Sequence, residues 1–324
     1  MDRHQMRKLM CRVGPAALAV AAATVGLRVA LRGLDWPSFQ AQIHRLEWRW
    51  LALAVVFDVM SYVAQGMRWR LLLNGASAWQ TTRAIYAGLF INEMIPLRPG
   101  EAIRAWLAAR DLKVGLWNIV PSMLAERLMD GFWLTAALLA TLIFAPLPSN
   151  LVRAIWVLAT ITSALVLAVW CLAGRRVAFL RTVKSGLRNP RALLVSGSFL
   201  VAQGLAFWAV SRADHLSLGL VAAFVVMVVV RIGTMIPGAP ANLGTHQFST
   251  VLGLSLYGVP QPQAAGFSLV VFTVLTIPLL VLGLCACLSA GLTWGSIRQS
   301  IARDTERVAN GCRAAFFASV AADS

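Results

Sequence analysis

Acidic side chains are scarce in this sequence. Thirteen Asp and Glu stand against 29 Lys and Arg in 324 residues, and charged residues of both signs make up only 13%. That scarcity excludes the charge-rich surface of a water-soluble globule. The five cysteines, Cys11, Cys171, Cys285, Cys287 and Cys312, are odd in number and irregularly spaced. They fit neither a disulfide framework nor a zinc site, and packing in apolar surroundings is the better reading. Of the four histidines, only His246 lies outside a segment end or short loop. No metal cluster, nucleophile motif or cofactor fingerprint can be assembled, so no metal, cofactor or catalytic residue is expected.

What the chain has in excess is apolar sequence, at 59% of positions with a mean hydropathy of +0.71. An all-α polytopic membrane protein follows. The net charge of +16 and pI near 11.3 would suggest nucleic acid in a soluble chain. Here there is no basic domain and no aromatic–basic interleaving outside the apolar runs, so nucleic acid is not an expected partner.

At about 20 apolar residues per crossing, full spans are expected at roughly Val13–Leu31, Trp50–Leu73, Trp117–Ala145, Leu151–Ala173, Ala192–Val210 and Gln263–Leu288. The first has the form of a signal peptide, with a small-x-small site at Ala19–Ala21, but its apolar character continues long enough to span. It is read as a retained helix. Arg3, Arg7, Lys8 and Arg12 before it, the six basic residues between Arg175 and Arg191, and Arg298, Arg303, Arg307 and Arg313 in the tail all belong in the cytoplasm by the positive-inside rule. N- and C-termini are therefore expected inside, with one transmembrane domain over residues 1–291 and a cytoplasmic tail over 292–324. The amphipathic stretch Thr293–Val308 reads equally as a surface helix or a solvated tail.

Two apolar regions, Arg83–Ala109 and Ser217–Tyr257, carry Pro/Gly breaks near their middles. If the first enters and leaves from the cytoplasm and the second from outside, six spans satisfy every loop, and both regions become re-entrant hairpins. One full span plus a surface helix in either region stays open. The breaks also match each other: "MIPLRPGE" at Met94–Glu101 aligns with "MIPGAPAN" at Met235–Asn242, with Pro96 against Pro237 and Pro99 against Pro240 at a constant offset of 141. Halves of about 49–145 and 192–291 would thus form an inverted repeat, whose broken helices meet near the midplane and form a substrate site. Pro99 and Gly100 suit a turn into a helix starting near Glu101, whose free N–H groups would favour an anion. Pro240 through Gly244 would do the same from the other side.

Charges cluster at the first break. Arg98, Glu101 and Arg104 flank it, and "AERLMD" places Glu126, Arg127 and Asp130 inside an apolar span. A charge at mid-bilayer costs roughly 2.5–3.5 kcal/mol, so each needs a partner or a cavity. Glu126 and Asp130 share a helix face, and Arg127 points about 100° away. One reading is a structural ion-pair knot; the other is a cavity with arginines for a phosphate headgroup and carboxylates to balance them. Arg68 and Arg70 are read as snorkelling at a span end beside Trp69. Arg231, without a local acid, suits a cavity or an interface equally. His246 and Gln247 could line the second hairpin.

"N-x3-P-x-R-x-G-E-x2-R" at Asn92, Pro96, Arg98, Gly100, Glu101 and Arg104, "E-R-x2-D" at Glu126, Arg127 and Asp130, Arg68–Trp69, and "P-x2-P-x2-L-G" at Pro237, Pro240, Leu243 and Gly244 together resemble the lysylphosphatidylglycerol synthase transmembrane-region family of flippase-like membrane proteins. The resemblance runs from about the first span to the last. It implies a multi-pass protein of the bacterial inner membrane that handles a polar lipid: an anionic phospholipid, a polyprenyl-phosphate-linked lipid or a hopanoid-type lipid. Only a short tail follows Leu288, so lysyl transfer is not expected. Where the family shows a double glycine and a Glu after the second break, this chain has Ala241, Asn242 and Gln247, and a later family arginine is replaced by an apolar run around Phe272.

The reading with most support is a lipid flippase, its substrate bound by Asn92, Arg98, Gly100, Glu101, Arg104, Glu126, Arg127, Asp130, Arg231, Asn242, Gly244, His246 and Gln247. The alternatives are an intramembrane lipid-modifying enzyme using Glu101, Glu126 and Asp130, and an accessory or scaffold subunit of a lipid or glycolipid pathway. A homo-oligomer stays open.

Overall fold

The computed structural model describes residues 24–32, 34–95, 99–144, 149–172, 178–234, 240–292 and 295. Among these, regular structure is entirely helical. A short helix α1 at residues 24–30 is followed by α2 (Trp36–Arg45), α3 (Trp48–Leu72), α4 (Ala78–Met94), α5 (Gly100–Leu112), α6 (Leu116–Phe144) and α7 (Ser149–Leu172). Then come α8 (Ala178–Leu187), α9 (Pro190–Ala213), α10 (Leu220–Gly233), a 3-10 turn at Pro240–Asn242, α11 (Thr245–Ser255) and α12 (Gln261–Ser289). The first expected span falls largely outside the described residues, as does nearly all of the tail; the other five appear as α3, α6, α7, α9 and α12, each of 24 to 29 residues. Among them α3, α9 and α12 are long and apolar enough to cross a membrane. Helix α6 has the length but carries Glu126, Arg127 and Asp130 near its middle.

The sequence sets the helix starts in recognisable ways. Asp35 caps α2 by accepting from the Ser38 N–H at 3.1 Å. A reciprocal Ser77–Gln80 capping box opens α4, and Asn189 followed by Pro190 opens α9. Both broken regions resolve into pairs of short helices, α4 with α5 and α10 with α11. At 11 to 17 residues each and 1.5 Å rise per residue, none reaches the roughly 30 Å of a hydrocarbon core.

Helices α3 and α9 pack along each other and run antiparallel. The Glu47 N–H donates to the Ala213 carbonyl at 3.1 Å near one end. Near the other end Asn189 Nδ2 donates to the Leu71 carbonyl at 3.4 Å and Arg68 Nη1 to Ser196 Oγ at 2.7 Å. Moved along by 141 residues, the starts of α3, α4 and α6 fall at positions 189, 219 and 257, beside the observed starts of α9, α10 and α12 at Pro190, Leu220 and Gln261.

The hairpins sit at opposite ends of this pair. The base of α4–α5 is tied to the end of α12, where Arg83 and Arg110 donate to the carbonyls of Ser289 and Ala290 at 3.2 and 2.9 Å, and Arg83 pairs with Asp111 at 2.5 Å. The start of α10 instead lies beside Thr141 near the far end of α6 and Leu205 in the later half of α9. Between the two bases the hairpin tips meet, α4 packing against the 3-10 turn.

Candidate functional site

The turn into α5 forms as its residues dictate. Pro99 precedes the first helical residue, Gly100, and a Cβ on Gly100 would stand 1.8 Å from the Gly88 carbonyl oxygen, so only glycine lets α5 lie this close to α4. The Gly100 N–H, expected to be free for an anion, is already used: it donates to Asn92 Oδ1 at 2.7 Å. The second break repeats the device with different residues. Ala241 and Asn242 have φ of 57° and 51°, Gly244 has φ 85°, and the Gly244 N–H donates to Gln247 Oε1 at 2.7 Å. Asn92 and Gln247 therefore cap the two breaks, which corrects the expectation of a free N–H at Gly100 and at Gly244. Arg98, Pro96 and Pro237 lie outside the described residues.

The charges converge where α3, α5 and α6 meet. Arg104 reaches Glu126 Oε2 at 2.9 Å and Glu101 Oε2 at 3.0 Å, and its guanidinium stacks on Trp69 at 4.8 Å. Arg104 Nη1 donates to Glu126 Oε1 at 3.3 Å, while the 2.9 Å contact between Nη2 and Oε2 is an ion pair without hydrogen-bond alignment. Arg68 donates to Glu126 Oε1 at 2.5 Å and also pairs with Asp130. Arg127 pairs with Glu101 and stands 3.7 Å from Asp130. Glu126 is the eleventh residue of α6, about 15 Å along its axis, which puts the cluster well inside the helical bundle.

Arg68 is a correction. Read from sequence as a snorkelling residue, its side chain is 0% exposed and holds the two carboxylates of α6 together. The span end offers it no interface because α6 and α9 cover that face, with Ser196 also accepting from it. Arg231 takes the cavity alternative, donating to Gln203 Oε1 and stacking on Phe199 at 4.6 Å. His246 lies between the Phe207 and Phe272 rings, with Nδ1 buried and unpartnered.

Against these groups lies a cavity of about 420 Å³, lined from α4 and α5 by Asn92, Glu93, Gly100, Glu101 and Arg104, from α6 by Arg127 and Asp130, and from the second half by Ser196, Gln203, Arg231, Thr234 and Asn242. Exposure divides the cluster: Arg68 and Glu126 are sealed, whereas Arg127 is 53% and Glu101 37% exposed. Arg127 lines this cavity. A chamber of about 140 Å³ adjoins it, sharing Tyr62, Glu93, Gln203, Arg231, Thr234 and Asn242 and adding Asp58 and His246. Gly244 and Gln247 do not line either space. Among the described residues no three of His, Cys, Asp and Glu come together as they would around a metal ion. Sequence reasoning missed Asp58, Glu93, Gln203 and Ser196; a lone acid in the run "LALAVVFDVM" was signal enough for Asp58.

At the C-terminal end of α9, Asp214 accepts from Gln42 Nε2 through both carboxylate oxygens at 2.9 and 2.7 Å. Burial pushes its carboxyl up to about 7, against smaller lowering effects of the Gln42 hydrogen bond and of His215.

A bundle of apolar helices around a charged internal cavity defines an integral membrane protein with a polar binding space. Residues 16–283 match the model of the lysylphosphatidylglycerol synthase TM region, and the chain belongs to that family. No curated protein matches the chain in sequence.

Proposed function

We propose that this protein is a lipid flippase of the bacterial inner membrane, moving a lipid with a polar, phosphate-bearing headgroup between leaflets. The observation that carries the proposal is the half-exposed Arg127 at a charged cavity between two hairpin tips, with Arg104 and Arg231 on the same walls. Arg127 is the guanidinium free to exchange Glu101 for a phosphate, since Arg68 and Arg104 are held in sealed pairs. The headgroup occupies the cavity while the tails stay in lipid.

The architecture we infer is six full spans with two re-entrant hairpins, both termini cytoplasmic, and the halves related as an inverted repeat. The antiparallel α3–α9 pair, the 141-residue register of helix starts and hairpins too short to cross all support it. Alternating access would come from rocking of one half against the other around the cavity. A lipid-modifying enzyme remains the alternative, but each carboxylate it would use is held by an arginine.

Native mass spectrometry of the detergent-purified protein tests the proposal by comparing wild type with Arg127→Gln. One class of phosphate-bearing lipid should co-purify and disappear in the variant, and vesicle-reconstituted variant should lose translocation of a fluorescent form of that lipid. No selective lipid, or undiminished translocation in the variant, would overturn the reading; conversion of the lipid by pure protein would favour the enzyme.

A further inference from the structure

We propose that the inner chamber beside the main cavity is a binding site for one small monovalent cation, a proton or an alkali ion, held by Asp58. Asp58 lies near the middle of α3 and is 3% exposed, and its Oδ2 is buried without a hydrogen-bond partner while the residue lines the chamber. Among the described residues no Lys or Arg nitrogen lies within 4.0 Å of it, whereas Glu101, Glu126 and Asp130 each have such a partner. A buried carboxylate at this depth needs a compensating positive charge.

Arg231 lines the same chamber, but its guanidinium is bound to Gln203 and laid over Phe199 instead of reaching Asp58. The other titratable groups facing the chamber are Tyr62 of α3, Glu93 of α4 and His246 of α11. Tyr86 of α4 donates instead to the Val59 carbonyl, and α9 and α12 present Gln203, Thr276 and apolar side chains.

The chamber, near 140 Å³ against about 420 Å³ for the main cavity, has room for an ion with water around it. Its neutral oxygens, on Thr234, Asn242 and Thr276, are the donors hard cations take. Because six residues line both spaces, filling the chamber changes the field in the cavity. Binding of the cation does not require that any lipid be moved, so this proposal and the flippase reading can fail separately.

The test is the melting temperature of the full detergent-purified chain, wild type against Asp58→Asn. It is followed through a sodium titration at constant ionic strength, with N-methylglucamine as replacement, and through a pH series without sodium. The expected result is a rise of roughly 5 °C at saturation in the wild type, lost in Asp58→Asn. A sodium-dependent rise identifies an alkali ion, and a rise on acidification alone identifies a proton. Asp214 contributes the same pH dependence to both proteins, so the difference between them is the readout. No dependence in the wild type, or the same dependence in the variant, overturns the proposal. If Asp58→Asn does not fold, infrared difference spectra of the wild type on adding sodium or acid take its place, and an unchanged buried-carboxylate band overturns the proposal equally.

Discussion

Replacing Glu126 by Gln keeps the shape of the side chain and removes one charge from a place where water cannot replace it. Glu126 is 1% exposed and sits between Arg68, 0% exposed, and Arg104, 5% exposed. Breaking a buried ion pair by removing one partner costs about 3–5 kcal/mol. Here each arginine retains a second acid, Asp130 for Arg68 and Glu101 for Arg104 at 3.0 Å, which argues for the lower end, about 3 kcal/mol. At roughly 2–4 °C per kcal/mol for chains near this size, the melting temperature should fall by about 6–12 °C. Tryptophan fluorescence reads it directly, since the chain has 12 tryptophans. Arg127→Gln is the control: at a half-exposed pair the loss should be about 1 kcal/mol or less. The double variant Glu126→Gln, Arg104→Gln should cost less than the sum of its single variants, because it removes an unpaired buried charge along with the pair. A Glu126→Gln protein melting within 2 °C of wild type, or an Arg127→Gln protein falling as far, would refute the division into a sealed knot and an open binding face.

Gly100→Ala should open the first hairpin, because the new Cβ would meet the Gly88 carbonyl oxygen at 1.8 Å and Asn92 Oδ1 at 2.6 Å. A loss of about 2–3 kcal/mol and a lower monodisperse yield on size exclusion are expected, with Gly115→Ala, which meets nothing within 4 Å, unchanged. Asp214 gives a pH dependence of definite sign. Its carboxyl rises from 3.8 in the unfolded chain to about 7 in the folded one, so its contribution is fully present below about pH 4 and is lost as pH rises to about 7. Asp214→Asn should therefore match wild type near pH 4 and melt higher at pH 8; parallel melting curves across that range would contradict the assignment.

Apolar run length and Pro/Gly position left little freedom in the helix layout. Twenty-odd apolar residues bounded by Trp, Arg and Pro can satisfy their backbone in a bilayer only as helix, and α3, α6, α7, α9 and α12 follow. The two breaks were equally legible, since Pro96, Pro99, Pro237 and Pro240 interrupt sequences otherwise fit to continue. Which helices touch was not legible. Antiparallel packing of α3 on α9 brings Arg68 to Ser196, 128 positions away, and nothing local in "GMRWRLLL" distinguishes that outcome from a guanidinium at the headgroups.

The same limit decides which of the clustered charges stand out in the sequence. Glu101, Arg104, Glu126, Arg127 and Asp130 stood out because each is a charge in apolar surroundings with another charge three or four residues away. Asp58 and Arg231 lack such a neighbour, and their shared chamber exists only because α3 and α10, from opposite halves, face it together. The two halves also differ in how they are held. The first hairpin is tied by Arg83, Arg104 and Arg110 to Asp111, Glu126 and the α12 carbonyls. The second offers Arg231 to a neutral Gln203 and caps its break with Gln247. Rocking of the first hairpin against α6 would have to break the buried Arg104–Glu126 pair, whereas among the described residues no ion pair holds the second. Under the proposed rocking motion the two hairpins would therefore not move alike: the ion pairs that gather charge at the cavity wall of the first also anchor it to α6.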